Sequence, residues 1–165
     1  MLTEEQKEMY KQHPRVLEIR FALFYQMIEK EFGEIQARKL VEFICKLYNC
    51  DFEVMTHLID ARFNIRRFTG AKWKKWRQTI IFIGVLYDIS TFKIADYLGT
   101  TSSNLYSQKQ FYNPSCFITD EWLDELEEGV CLCKMSKYRL ELSRFLEVVS
   151  CMSNVFKKWS NSGMQ

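Results

Sequence analysis

The sequence predicts an all-α fold, and three observations carry that reading. Only two prolines and six glycines punctuate 165 residues, too few turn formers for a sandwich of short strands. Apolar residues recur at steps of three and four along most of the chain, the spacing of one helix face. The single run that also fits a buried strand, Ile80 to Tyr87, has no second strand to pair with, and its pattern begins seven residues earlier with helical spacing. Hydrophobic residues make up 47%, aromatics 15% and charged residues 27%, a composition that folds around a core. A chain of this length buries roughly 70% of its unfolded surface and needs neither disulfide nor metal to do so.

Each element has its own signal. Thr3 with Gln6 fits a capping box opening a short helix that stops near His13. Pro14 suits a first helical position, and Leu17, Phe21, Phe24 and Ile28 share a face until Gly33. The next helix carries Ala37, Val41, Ile44 and Tyr48, with Leu40 and Leu47 widening its stripe. Asp51 is placed to cap a segment bearing Val54, Met55, Leu58 and Ile59. Gly70 interrupts the pattern before Trp73, Trp76, Ile80, Ile83 and Leu86 or Tyr87. Ser90 or Thr91 then caps a short helix to Leu98, Gly99 ends it, and Ser102 or Ser103 starts another to about Tyr112, closed by Asn113 and Pro114. Thr119, Asp120 and Glu121 open an acidic helix that ends at Gly129. Cys131 and Cys133 are read on a helical stretch. The last helix has the longest stripe, Met135, Tyr138, Leu142, Phe145, Val149, Met152, Phe156 and Trp159, before a tail expected to fray. The expected architecture is a helical bundle, one compact domain overall. An N-terminal helical subdomain (1–65) and C-terminal helices (115–165) flank a tri-helical helix-turn-helix unit (66–114).

Charge is distributed unevenly. Residues 1–60 hold 8 basic and 11 acidic side chains, residues 61–112 hold 9 and 2, and residues 113–165 hold 6 and 8. No acidic residue lies between Asp60 and Asp88. The net charge of +2 therefore conceals a cationic middle segment, which localises an anion-binding face. The first thirteen residues are polar and include Glu4, Glu5 and Glu8, so they form no apolar signal core. The longest apolar run is far shorter than the ~20 residues needed to span a bilayer. These features predict a cytoplasmic chain without membrane association, whose cysteines stay reduced.

The stretch 91–108, TFKIADYLGTTSSNLYSQ, carries the functional signal. Ile94 is an apolar contact, Ala95 a small residue three places before Leu98, Gly99 a turn glycine, and Leu105 an apolar lock in the following helix. This spacing resembles the helix-turn-helix of bacterial and phage DNA-binding proteins over about twenty residues, or roughly forty with the helix before it. A narrower similarity is to the C-terminal DNA-binding domain of the replication initiator DnaA, in which an Arg-Gln pair opens a long apolar helix. Arg77 and Gln78 occupy that pair, and Ser90, Ile94 and Ala95 follow with one residue fewer between. TTSSNLY replaces that family's signature, so the similarity implies the general fold and not origin recognition.

The resemblance implies that the second helix of the pair meets base edges in the major groove. The residues so placed are Thr101, Ser102, Ser103, Asn104, Ser107 and Gln108, with the amides of Asn104 and Gln108 suited to adenine. Arg66, Arg67, Lys72, Lys74, Lys75, Arg77, Lys93 and Lys109 are the expected phosphate contacts. Trp73 and Trp76 fit a core stripe better than a single-strand stacking platform. A protein-docking module on the same fold, a phage-type inhibitor or an assembly subunit meeting an acidic protein surface, is the alternative.

The cysteines lack metal-ligand spacing: Cys45 and Cys50 are five apart, Cys131 and Cys133 two apart, and His13 and His57 are remote from both pairs. The chain contains no phosphate loop, H-E-x-x-H or G-x-S-x-G string. The expectation is a non-enzymatic protein that binds double-stranded DNA, without cofactor or metal, as a homo-oligomer.

Overall fold

A computed structural model describes residues 3–61, 70–104 and 132–150, with side chains except at positions 70–76, 91 and 97. Every regular element among the described residues is a helix, as expected: α1 (Glu4–Lys11), α2 (Pro14–Phe32), α3 (Glu34–Tyr48), α4 (Phe52–Asp60), α5 (Gly70–Leu86), α6 (Thr91–Leu98) and α7 (Ser136–Val149). Residues 102–104 are also helical, and a 3-10 turn at Leu132–Lys134 precedes α7. The Asn113–Pro114 stop, the acidic helix after Thr119, and Met152, Phe156 and Trp159 lie outside the described residues.

These helices divide between two compact units. One contains α1, the first turns of α2 to Arg20, α5, α6 and residues 102–104; the other contains α2 from Phe21, α3, α4, the 3-10 turn and α7. Each unit thus draws on separate stretches of the chain.

In the first unit, Thr3 and Gln6 form the reciprocal capping box that opens α1. His13 starts α2: its Nδ1 accepts from the Arg15 N–H at 3.1 Å, and its carbonyl accepts from Leu17 at 3.0 Å. Val16, Leu17 and Ile19 are buried, and so are Arg15 and Glu18, which pair at 3.5 Å. Tyr10 sets its ring edge-on against Phe82 of α5, with centroids 5.0 Å apart. Ile80, Ile81, Phe82, Ile83 and Leu86 are all buried. Burial on every side explains why IIFIGVLY has no polar face in the sequence.

In the second unit, Phe145 of α7 meets Phe21 and Phe24 edge-on, both at 5.7 Å. Phe21 also stacks on Tyr25 at 6.2 Å. Burial on α2 extends past the expected stripe to Ala22, Leu23 and Tyr25. Helix α7 packs on α3 and α4, and its Leu142, Phe145, Leu146 and Val149 are buried. Its Glu141 accepts from the Asp51 N–H at 2.9 Å, and Arg144 donates to the Asn49 carbonyl at 3.0 Å. Both bonds grip the turn between α3 and α4.

The structure corrects three local expectations. Leu47 is 43% exposed, while Cys45 is buried. At 100° per residue the buried set on α3 centres near Ala37, and Leu47 stands about 90° from that centre. Met135 is 54% exposed and serves as the backbone N-cap of α7 instead of joining its stripe. Cys133 lies in the 3-10 turn and is buried, not on an α-helical stretch.

Asp51 caps α4 as its position implies, its carboxylate accepting from the N–H groups of Glu53 (3.0 Å) and Val54 (3.3 Å). Asp51→Ala leaves both donors without that partner, so urea unfolding should show a loss of about 0.5–2 kcal/mol. Asp51→Asn, which keeps an acceptor, should lose much less.

Candidate nucleic-acid interface

The region expected to bind DNA is built on α5 and α6, which pack against each other. One tight contact is at Gly84. A Cβ there would stand 3.1 Å from Ile94 Cγ1 and 3.3 Å from Cδ1. Any larger residue would require the buried Ile94 side chain to give by a few tenths of an ångström. An isolated glycine inside an apolar helical run was the signal for this contact. The α6 side of the contact is signalled by Ile94, Ala95 and Leu98, all three of which are buried.

The two helices are joined by a turn in which Asp88 takes a left-handed conformation, φ 53°. The Ile89 N–H then reaches back to the Gly84 carbonyl at 2.9 Å, so the contact residue is also the last carbonyl of the helix to be satisfied. Ser90 occupies the N-cap position of α6, but its side chain makes no cap bond. At the far end Gly99, with φ 70° and ψ 33°, stops α6. Its N–H and that of Thr100 bond to the carbonyls of Asp96 (3.2 Å) and Ala95 (3.0 Å), the paired bonds of a Schellman turn.

The next helical stretch starts at Ser102, as expected, with Thr101 in the N-cap position. Its hydroxyl accepts from the Asn104 N–H at 3.3 Å, the bond of an N-cap to its third helical residue. The Asn104 side-chain amide donates to Thr100 Oγ1 at 3.4 Å. Thr101, Ser103 and Asn104 are exposed and Ser102 is half-buried. Ser107, Gln108 and Leu105 lie outside the described residues.

Among the expected phosphate contacts, Lys93 is exposed on α6, next to Phe92, whose ring is 76% exposed. Arg77 is half-buried on α5, and its Nε is covered, with no hydrogen-bond partner. Lys72, Lys74 and Lys75 belong to the first half of α5, where the backbone alone is described; Arg66, Arg67 and Lys109 lie outside the described residues. Among the described residues no group of three His, Cys, Asp or Glu is placed to hold a metal ion, and no helix is long and apolar enough to cross a membrane.

A support invisible to the sequence pattern lies at the end of α5. Lys11 Nζ stands 5.4 Å and the Arg20 guanidinium 5.2 Å from the centroid of the Tyr87 ring. Among the described residues Arg20 Nε has no hydrogen-bond partner, and the ring face offsets part of the guanidinium's desolvation. Burial lowers the Arg20 pKa from its usual value, with Tyr87 opposing. Burial also pushes the Tyr87 hydroxyl up to about 12, with Arg20 opposing. The chain matches no protein-family model, no curated protein and no solved structure.

Two predictions follow from this geometry. Gly99 has open space where a Cβ would go, so Gly99→Ala should cost only the left-handed strain, about 1–2 kcal/mol. Gly84→Ala should cost about 1–3 kcal/mol through overpacking, and the loss should shrink when measured in an Ile94→Ala background, which removes the atoms it meets. Chemical denaturation of the four variants measures this coupling.

Tyr87 sets a pH dependence of stability. Its folded pKa is raised above the ordinary value of 10 to about 12, so its contribution is complete below pH 10 and declines as pH rises toward 12. Spectrophotometric titration of tyrosinate should show one group fewer titrating at the high end in Tyr87→Phe than in the wild type. That variant should also lose stability less steeply across this window.

Proposed function

We propose that this chain is a non-enzymatic, cytoplasmic protein that binds double-stranded DNA through a helix-turn-helix formed by α6 and the helical stretch begun at Thr101. The observation that carries the reading is the Gly99 turn, which delivers a capped helical start with Thr101, Ser103 and Asn104 exposed. It does so within the segment richest in positive charge. In this arrangement the start of the second helix enters the major groove and its side chains meet base edges. Asn104 spends one amide N–H on Thr100 and retains a second N–H and its Oδ1, the pair needed for bidentate contact with adenine.

The lysines of α5 support the same reading by an energetic argument. Helix N-termini favour anions and disfavour cations by about 0.3–1 kcal/mol per charge. Yet α5 has no acidic residue in its first turn and carries Lys72, Lys74 and Lys75 near its N-terminal end. Helix stability does not account for that placement. Attraction to phosphates, with Lys93 contributing from α6, does. Thr101, Ser102, Ser103, Asn104, Ser107 and Gln108 are assigned to base contact, and Arg66, Arg67, Lys72, Lys74, Lys75, Arg77, Lys93 and Lys109 to phosphate contact. Self-association is part of the proposal, because helix-turn-helix readers engage paired half-sites about 34 Å apart.

Fluorescence anisotropy with random and selected duplexes at several salt concentrations tests this. Lys74→Ala with Lys75→Ala should weaken binding on every sequence and reduce the salt slope by about 2. Asn104→Ala should cost about 1–3 kcal/mol at one base position and leave other sequences unaffected. Absence of binding at low salt would transfer the site to the docking-module reading, for which Phe92, exposed beside Lys93, is the apolar anchor a protein partner would cover.

A further inference from the structure

We propose that Cys45 and Cys50 form a reversible intramolecular disulfide across the C-terminus of α3, making this turn an oxidation-sensitive site independent of nucleic-acid binding. Asn49 ends α3 in the left-handed conformation, φ 56° and ψ 46°, and the Cys50 N–H folds back onto the Cys45 carbonyl at 2.9 Å. That bond bounds the separation of the two residues. With standard backbone dimensions, a 2.9 Å N···O distance allows a Cα–Cα distance of at most about 6.8 Å. Disulfides span about 4.4–6.8 Å between Cα atoms. The two cysteines also occupy the positions flanking a left-handed helix end whose side chains characteristically touch. Both are free thiols, and each lies close enough for Cys50 to act electrostatically on Cys45.

The surroundings assign different parts to the two sulfurs. Cys45 is buried, and its thiol is pushed up to about 12 by burial and the neighbouring negative groups Cys50, Glu141, Asp51 and Glu42. Cys50 is half-buried and therefore reachable. Burial raises its pKa as well, Glu141 adds to the rise, and Arg144, bonded to the adjacent Asn49 carbonyl, opposes it. Cys50 is thus the attacking thiol and Cys45 the resolving one. Both thiols are raised by burial, so the thiolate that attacks the oxidant is a minor form near neutral pH.

With a hydroperoxide as oxidant, the Cys50 thiolate attacks the terminal oxygen. The S–O bond forms, the O–O bond breaks, and the departing oxide takes a proton to leave as water or alcohol. The Cys45 sulfur then attacks the Cys50 sulfenic acid. The S–S bond forms, the S–O bond breaks, and hydroxide leaves with the Cys45 proton as water. Two thiols lose two electrons and two protons in total, and the peroxide accepts both. In a reducing compartment thiol exchange reverses the bond.

The sequence makes the test direct, because Lys46 separates the two cysteines onto tryptic peptides 40–46 and 47–62. The folded, full-length protein is treated with hydrogen peroxide, free thiols are alkylated, and the digest is read by mass spectrometry. The expected product is 40–46 joined to 47–62, two hydrogens lighter than the free peptides and restored to both by dithiothreitol. In Cys45→Ala the linked species should vanish and Cys50 should be trapped as sulfenic acid by dimedone. Cys50→Ser, at the more accessible position, should leave Cys45 fully alkylated after unfolding. The proposal is overturned if Cys45 remains a free thiol while Cys50 advances to sulfinic acid. It is equally overturned if the two are recovered only in bonds to the other four of the six cysteines.

Discussion

A left-handed residue ends each of α3, α5 and α6, and most of what distinguishes this structure depends on those three turns. Asn49, Asp88 and Gly99 have φ values of 56°, 53° and 70°. In each case the next N–H folds back to a carbonyl five residues earlier: Cys50 to Cys45, Ile89 to Gly84, Thr100 to Ala95. The bond satisfies a carbonyl the helix would otherwise leave open and reverses the chain within two residues. Reversal at Asp88 lays α6 on α5. Reversal at Gly99 aims the Thr101-capped stretch, and reversal at Asn49 brings two cysteines together. Two of the three residues are not glycine, so their conformation carries strain that the surrounding packing must hold.

Around the α5–α6 pair, the first unit contains charge in unusual places. Arg15 and Glu18 form a buried pair, and Arg20 and Lys11 share one tyrosine ring. Buried ion pairs seldom add much stability over apolar packing, yet removing one partner leaves an uncompensated charge. The effect is to specify one arrangement of α1, the start of α2 and the end of α5. In the second unit Phe145 meets Phe21 and Phe24 edge-on, and Glu141 and Arg144 grip the α3–α4 turn.

The scaffold beneath the candidate interface was legible at four residues. Ile94, Ala95, Leu98 and Gly99 were identified from spacing, and each stands where that spacing requires, buried or in the turn. Caps were legible only in part. Asp51 and Thr3 make the bonds their positions suggest and Ser102 is the first residue of its helical stretch, whereas Ser90 occupies its N-cap position without a side-chain bond.

The sequence by itself determined the all-α class, the positions of the helices among the described residues, and the concentration of positive charge between Asp60 and Asp88. These follow from local periodicity and composition, which the chain states without reference to its fold. The tertiary structure alone decided that Gly84 is a contact site, that Tyr87 receives two cations, that Asn49 and Asp88 turn left-handed, and that Cys45 and Cys50 are neighbours across a helix end. Each of these depends on which surface the packing presses against a residue, or on strain that the packing sustains. A pattern of apolar steps says which face turns inward, and the neighbour waiting there is chosen by the rest of the chain.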